Sequence, residues 1–243
     1  MTQSTSEEPS GQIPPLQVAA ADAPSGGGAA AEHALPVTRS ARYYTLGAAG
    51  GDVRELWYVL HGYGQLAAYF VRPFAGLDNT HRLIVAPEAL SRFYLDDAHR
   101  RVGASWMTRA DRQREIDDYL AYLNALHARI AGELADDVQV HVLGFSQGSE
   151  TAARWTVFGA AAVYRLVLWG GRLPADLDLA AHRDVLCRAR LTLVRGGEDT
   201  YATAERMEEE EGRLNRHLVP YHAITFEGGH RLDVDVLHAL AAG

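Results

Sequence analysis

Two kinds of apolar pattern alternate along the chain from residue 39 onward. Short apolar runs at 83–86, 138–143, 166–169 and 191–195 predict strands buried on both faces. Runs at 42–46 and 53–60 predict two earlier strands joined by the Gly-rich turn at 47–51. Ile116, Tyr119, Leu120, Leu123, Leu126 and Ile130 recur at helical spacing, which predicts a helix over 112–130 with Asp111 placed to cap its start. Further helices are predicted from Gly148 to about residue 158, over 203–218 and over 232–241, with a last strand at 221–226. Strands alternating with helices imply an α/β fold, a mostly parallel sheet covered by helices on both faces, with an antiparallel pair at the start forming its edge. The pattern shows no internal repeat and no second linker, so residues 39–243 read as a single domain.

Residues 1–38 have a different texture. Residues 2–11 are polar, 25–28 form a Gly/Ser run, and Pro9, Pro14, Pro15, Pro24 and Pro36 interrupt every possible helix. This predicts a disordered, low-complexity N-terminal tail. Its first residues lack the basic start and apolar stretch of a secretory signal. No run in the chain approaches the roughly 18 apolar residues of a membrane span, so no integral membrane association is expected.

Charge and composition narrow the field. The formal net charge is −8, and the tail contributes Glu7, Glu8, Asp22 and Glu32 with no Lys or Arg. The remainder holds 27 acidic against 23 basic residues, a nearly balanced body. No cluster of Lys or Arg stands out, which argues against nucleic acid and anionic membrane as partners. With 47% hydrophobic and 22% charged residues the chain is globular in composition. The single cysteine, Cys187, excludes an intramolecular disulfide and a Cys-based zinc site, and it fits a reducing, cytoplasmic compartment. Its apolar helical surroundings suggest a buried, inert thiol. The 11 histidines include no H-E-x-x-H, and no G-x-G-x-x-G opens a helix after a strand, so neither a metal nor a dinucleotide cofactor is expected.

Chemistry concentrates at four strand ends. Gly144-Phe145-Ser146-Gln147-Gly148 matches G-x-S-x-G between a predicted strand and a predicted helix, the context of a nucleophile elbow. Glycines around the serine let the backbone turn sharply, push the Ser146 hydroxyl out of the sheet and aim helix-start amides at the same space. A serine needs a base, and in such sheets the partners follow in the order Ser, acid, His. His230 follows Gly228-Gly229 directly after the last strand, while His217, His222 and His238 lie in predicted helices or a strand. Asp199, in Arg195-Gly196-Gly197-Glu198-Asp199, is the favoured acid, with Glu198 and Asp233 as competitors; Asp233 is better placed to cap the final helix. Two amides must hold the developing anion. Gln147, the residue after the nucleophile, supplies one. Tyr63, in Leu60-His61-Gly62-Tyr63-Gly64-Gln65, supplies the other, which leaves His61 a structural role. The segment 91–108 joins a strand end to the long helix and should overhang the site, with Phe93, Tyr94 and Trp106 either lining an acyl pocket or forming the segment's own small core. Arg100 and Arg101 on it read as solvated charges rather than anion binders.

Leu60 to Gln65, Gly144 to Gly148, Gly196 to Asp199 and Gly228 to His230 together resemble the phospholipase/carboxylesterase family of α/β hydrolases, the group that includes acyl-protein thioesterases. Ala86-Pro87-Glu88, Ser105-Trp106, Glu115-Ile116 and Trp169-Gly170-Gly171-Arg172-Leu173-Pro174 extend the likeness over roughly residues 40–242. The resemblance implies an α/β-hydrolase fold, Ser146 as nucleophile, His230 as base, Asp199 as orienting acid and Tyr63 and Gln147 as oxyanion amides; Leu173 joins the candidate substrate contacts. The implied activity is hydrolysis of carboxylic esters, on a small-molecule or lipid-like ester. A long-chain acyl thioesterase or lysophospholipase with the same triad is the rival within enzymes. A non-catalytic binding protein on the same fold is the rival outside them.

Overall fold

The computed structural model describes residues 30–77 and 80–242. Contacts divide the chain into residues 1–39 and 40–243. Of the first unit, residues 30–39 are exposed and carry no helix or strand; the expectation of a disordered tail otherwise lies outside the described residues.

The second unit runs β1 (Tyr43–Leu46), β2 (Glu55–Leu60), the short helix α1 (Ala67–Phe70) and a 3-10 helix (Arg72–Leu77), then β3 (Arg82–Pro87), β4 (Ser91–Tyr94) and β5 (Val102–Ser105). The long helix α2 (Arg112–Ala131) leads into β6 (Gln139–Phe145), α3 (Gln147–Phe158), β7 (Val163–Trp169) and α4 (Arg183–Arg188). β8 (Leu191–Gly196), α5 (Ala204–Arg216), β9 (Tyr221–Phe226) and α6 (Val234–Ala242) close the chain. Among the described residues the main sheet has seven strands in the order β1-β3-β2-β6-β7-β8-β9, all parallel except β1. This is the α/β fold expected, with one correction. β1 does not pair with β2 as an initial hairpin; Tyr43 to Leu46 run antiparallel to Ile84 to Pro87 of β3, and β2 lies inside the sheet between β3 and β6. β2 reads Glu-Leu-Trp-Tyr-Val-Leu and is buried from Leu56 on, too apolar on both faces to sit at an edge.

Alternate residues of the central strands fill two cores. Tyr58, Leu60 and Val142 pack with Leu123 of α2 and Trp155 of α3 on one face; Trp57, Val59 and Leu143 pack with Phe70, Phe74 and Leu237 on the other. Helix starts follow local chemistry, though not always the predicted residue. Asp233 caps α6, accepting from Val236 N–H at 3.2 Å, and Thr203 caps α5. Asp111 does not cap α2: its backbone is left-handed (φ 53°), its carboxylate pairs with Arg114 at 2.8 Å, and Glu115 in the first turn instead accepts from the Thr108 hydroxyl at 3.0 Å. β4 and β5 pair as a separate antiparallel hairpin that the apolar pattern does not announce, because Ser91-Arg92-Phe93-Tyr94 groups its polar and aromatic residues instead of alternating them. Cys187 is half-buried rather than fully enclosed.

His141 of β6 is a buried imidazole stacked on Trp57 at 4.5 Å, and neither ring nitrogen has a partner among the described residues. Burial, helped by the charges of Arg165 and Arg82 and opposed by Glu55, pushes its pKa down to about 4. The unfolded chain then binds a proton that the fold refuses. Stability is therefore full above the unfolded imidazole value near 6.5, falls as pH drops below it and levels off near 4, a loss of up to about 3 kcal/mol. Urea unfolding from pH 8 to 4 should show this decline, and His141→Phe, which keeps the stack without the proton, should make it shallower, leaving the smaller share of the other buried histidines His61 and His127.

Candidate active site

Ser146 sits at the junction of β6 and α3 in a backbone conformation that a side chain adopts only under strain, φ 53° and ψ −118°. Close packing holds it there. A Cβ on Gly148 would lie 2.7 Å from the His61 carbonyl oxygen, so the helix start can approach the end of β2 only with glycine at that position. Ser149, fully buried, donates its hydroxyl to the Gly144 carbonyl at 2.8 Å and ties the turn from beneath. The Ser146 hydroxyl makes no hydrogen bond among the described residues.

Asp199 follows β8 and His230 follows β9, two neighbouring parallel strands whose ends lie on the same edge as Ser146. His230 Nδ1 and Asp199 Oδ2 are 2.7 Å apart. Asp199 is buried, and its second oxygen accepts the Tyr201 and Ala202 N–H groups at 2.8 Å each. Burial alone would raise its pKa; the bonds from His230 and the two amides outweigh burial and hold it below the usual carboxylate value. The carboxylate thus stays ionised through mild acid. Glu198 points into solvent, and Asp233 is spent on the α6 cap and on Arg231. Of the other histidines, His222 is exposed on β9, His217 ends α5 and His238 lies against Gly76 of the 3-10 helix.

The imidazole of His230 is held between the rings of Phe145 and Tyr201, with centroids at 4.7 and 4.8 Å. Gly170 (φ 58°) passes beneath the pair; a Cβ there would lie 2.9 Å from His230 Cε1 and 3.3 Å from Asp199 Oδ2. Trp169 Nε1 donates to the Arg231 carbonyl at 2.9 Å and anchors the loop that carries the histidine.

The loop after β2 offers one unspent amide. Gly62 N–H is taken by Gln65 Oε1 at 2.8 Å and Gly64 N–H by the Ala104 carbonyl at 2.9 Å, whereas the Tyr63 N–H has no acceptor among the described residues. The same is true of the Gln147 N–H at the start of α3. His61 is a staple: buried, its Nε2 accepts the Ala89 N–H at 3.1 Å, which leaves Nδ1 to donate to the Gly62 carbonyl at 2.8 Å, and burial lowers its pKa. Two side-chain roles were not legible from the motifs. The Gln147 amide group donates to the Met107 carbonyl at 2.8 Å and accepts the Trp106 N–H at 3.1 Å, fastening the segment after β5. Gln65 shapes its own loop.

A cavity of about 750 Å³ opens beside His230, walled by Gln65, Phe70, Leu95, Phe145 and Leu232 among others. A second, of about 240 Å³, holds Ser146, Gln147, Gly171, Arg172, Tyr201 and Met207. Neither cavity is lined by Phe93, Tyr94, Trp106 or Leu173, the expected substrate contacts. Trp106 is 3% exposed and donates from Nε1 to the His61 carbonyl, and Leu173 is fully enclosed; both are core. Phe93 lies against the Tyr63 ring at 5.0 Å and Tyr94 against His99 at 4.4 Å, both on β4.

No protein-family model matches the chain, and no curated protein matches it in sequence. Solved structures resemble it in fold. Acyl-protein thioesterase 2 of Zea mays superposes with a TM-score of 0.66 at 16% identity, over 84% of this chain and 97% of that one. A carboxylesterase from Mesorhizobium loti gives 0.65 at 21% identity over 84% and 95%. A phospholipase/carboxylesterase from Dyadobacter fermentans gives 0.62 at 20% over 85% and 97%. At these identities the likeness is one of fold, the α/β-hydrolase fold that the motifs suggest.

Proposed function

We propose that the protein is a serine hydrolase of carboxylic esters. The observation that carries this reading is the His230–Asp199 pair at 2.7 Å on the same sheet edge as the strained Ser146 turn. In this reading His230 Nε2 takes the Ser146 proton as the hydroxyl oxygen attacks the acyl carbon, and the Tyr63 and Gln147 amides receive the oxyanion. His230 returns the proton to the leaving alcohol, and Asp199 fixes the imidazole tautomer and balances its transient charge. Water, activated by His230, then releases the acid from Ser146. The neighbours named as carboxylesterases and thioesterases support hydrolysis of an acyl bond on this fold. The catalytic unit is residues 39–243, with residues 1–38 an appended tail. A cytoplasmic location belongs to the same reading; no helix among the described residues is long and apolar enough to cross a membrane.

A fluorophosphonate probe should label Ser146, and labelling should vanish in Ser146→Ala. An unlabelled wild-type protein would favour a binding role on the same fold. An acyl-chain series on matched esters and thioesters then separates esterase from thioesterase. Because the oxyanion is held by amides, EDTA should leave the rate of ester hydrolysis unchanged; activity lost to EDTA and restored by zinc would refute the serine mechanism.

A further inference from the structure

The cavity beside His230 is charged against the trend of the chain. Among the described residues its wall carries Arg100, Arg101 and Arg231 and no Asp or Glu, in a protein of formal net charge −8. Arg231 is engaged, with Asp233 at 2.9 Å and the Glu227 carbonyl at 3.0 Å. Arg100 and Arg101 are not: among the described residues neither guanidinium has a hydrogen-bond, ion-pair or ring partner. Their backbone, in contrast, is firmly placed. Asp96 accepts the amides of both residues at 3.0 Å, and Leu95 N–H closes the hairpin tip onto the Arg101 carbonyl at 2.8 Å. The hairpin is itself bonded to the loop of Tyr63, through Gly64 N–H to the Ala104 carbonyl at 2.9 Å and Ala104 N–H to the Gln65 carbonyl at 3.1 Å.

We infer that this cavity is a subsite for a carboxylate on the alcohol portion of the ester, received by Arg100 and Arg101. The inference rests on the hydrolase reading above. Two free guanidiniums at the mouth of a cleft attract an anion, and each presents a planar fork that matches a carboxylate two-handed. A phosphate site would normally add backbone N–H donors. Here Asp96 has already taken the tip amides of Arg100 and Arg101. The alcohol side is assigned by proton transfer: the group that returns a proton to the leaving oxygen must lie within hydrogen-bond reach of it. His230 lines this cavity, and Ser146 lines the smaller one.

The test compares kcat/KM for 4-acetoxybenzoate and its methyl ester, which differ by the carboxylate charge. In Arg100→Gln/Arg101→Gln the ratio of charged to neutral ester should fall about 3- to 10-fold relative to wild type, the range open to partly exposed charge pairs. Added salt should lower the wild-type ratio in the same direction, and Arg100→Lys/Arg101→Lys should restore part of it. A ratio that stays within about twofold of wild type in the Gln variant would overturn the subsite. Fluorophosphonate labelling keeps the two readings apart. A labelled enzyme with an unmoved ratio refutes the subsite alone; a protein that is unlabelled and inert toward both esters refutes both.

Discussion

Ser146→Ala should lose ester hydrolysis by about four to six orders of magnitude in kcat while remaining folded. Its hydroxyl holds nothing together among the described residues, so alanine leaves no orphaned partner, and Ala and Ser suffer alike at φ 53°. What disappears is the atom that forms the acyl bond; the amides of Tyr63 and Gln147 remain and support only background turnover. Steady-state rates on a short-chain ester, with melting temperature as the folding control, check this. A shift under about 2 °C corresponds to at most about 1 kcal/mol in a domain of this size. A variant retaining more than about a tenth of the wild-type rate would place the nucleophile elsewhere.

Asp199→Asn should be nearly as damaging, by about four orders of magnitude in kcat. An asparagine oxygen can still accept the Tyr201 and Ala202 amides, so the loop keeps its shape. The amide nitrogen, however, then faces His230 Nδ1, which must become an acceptor; the proton moves to Nε2, where the serine needs a lone pair. Glu198→Gln, in solvent, and Asp233→Asn, at a helix cap, should stay within about threefold of wild type, since neither faces the imidazole. Kinetics of the three variants side by side decide which carboxylate orients the base, and a large loss in Glu198→Gln with a mild one in Asp199→Asn would move the role by one residue.

What the sequence discloses here follows the range of the interaction involved. Strand and helix identities are local, and the runs at β2, β3 and β6 and the helical spacing of α2 announced them. The turn around Ser146 was legible because glycine is the only residue that fits the contact at Gly148. His230 stood out by the two glycines before it. Pairing of β1 with β3 rather than β2 was not legible, since nothing in Tyr43 to Leu46 encodes which strand will lie beside it. Asp111 had the right position for a cap, but its backbone turned left-handed and its carboxylate was taken by Arg114, three residues away. Trp106 and Leu173 are apolar, and composition cannot tell a pocket wall from a core; three-dimensional packing put both inside. The clamp made by the Gln147 side chain joins residues 40 positions apart, beyond the reach of any motif.

The attachment of the β4–β5 hairpin separates what must be kept from what can change. Its root is held by main-chain bonds at Gly64, Gln65 and Ala104 and by the side chain of Gln147 on Trp106 and Met107. Substitutions at the tip leave the main-chain bonds at its root in place. The tip, residues 95–101, projects over the cavity and depends mainly on Asp96 for its turn. If the alcohol subsite proposed above holds, mutational drift at the tip would retune which alcohols are accepted while the Tyr63 and Gln147 amides stay where they are. A library confined to residues 97–101, with Asp96 kept, is the economical route to new substrate scope on this scaffold.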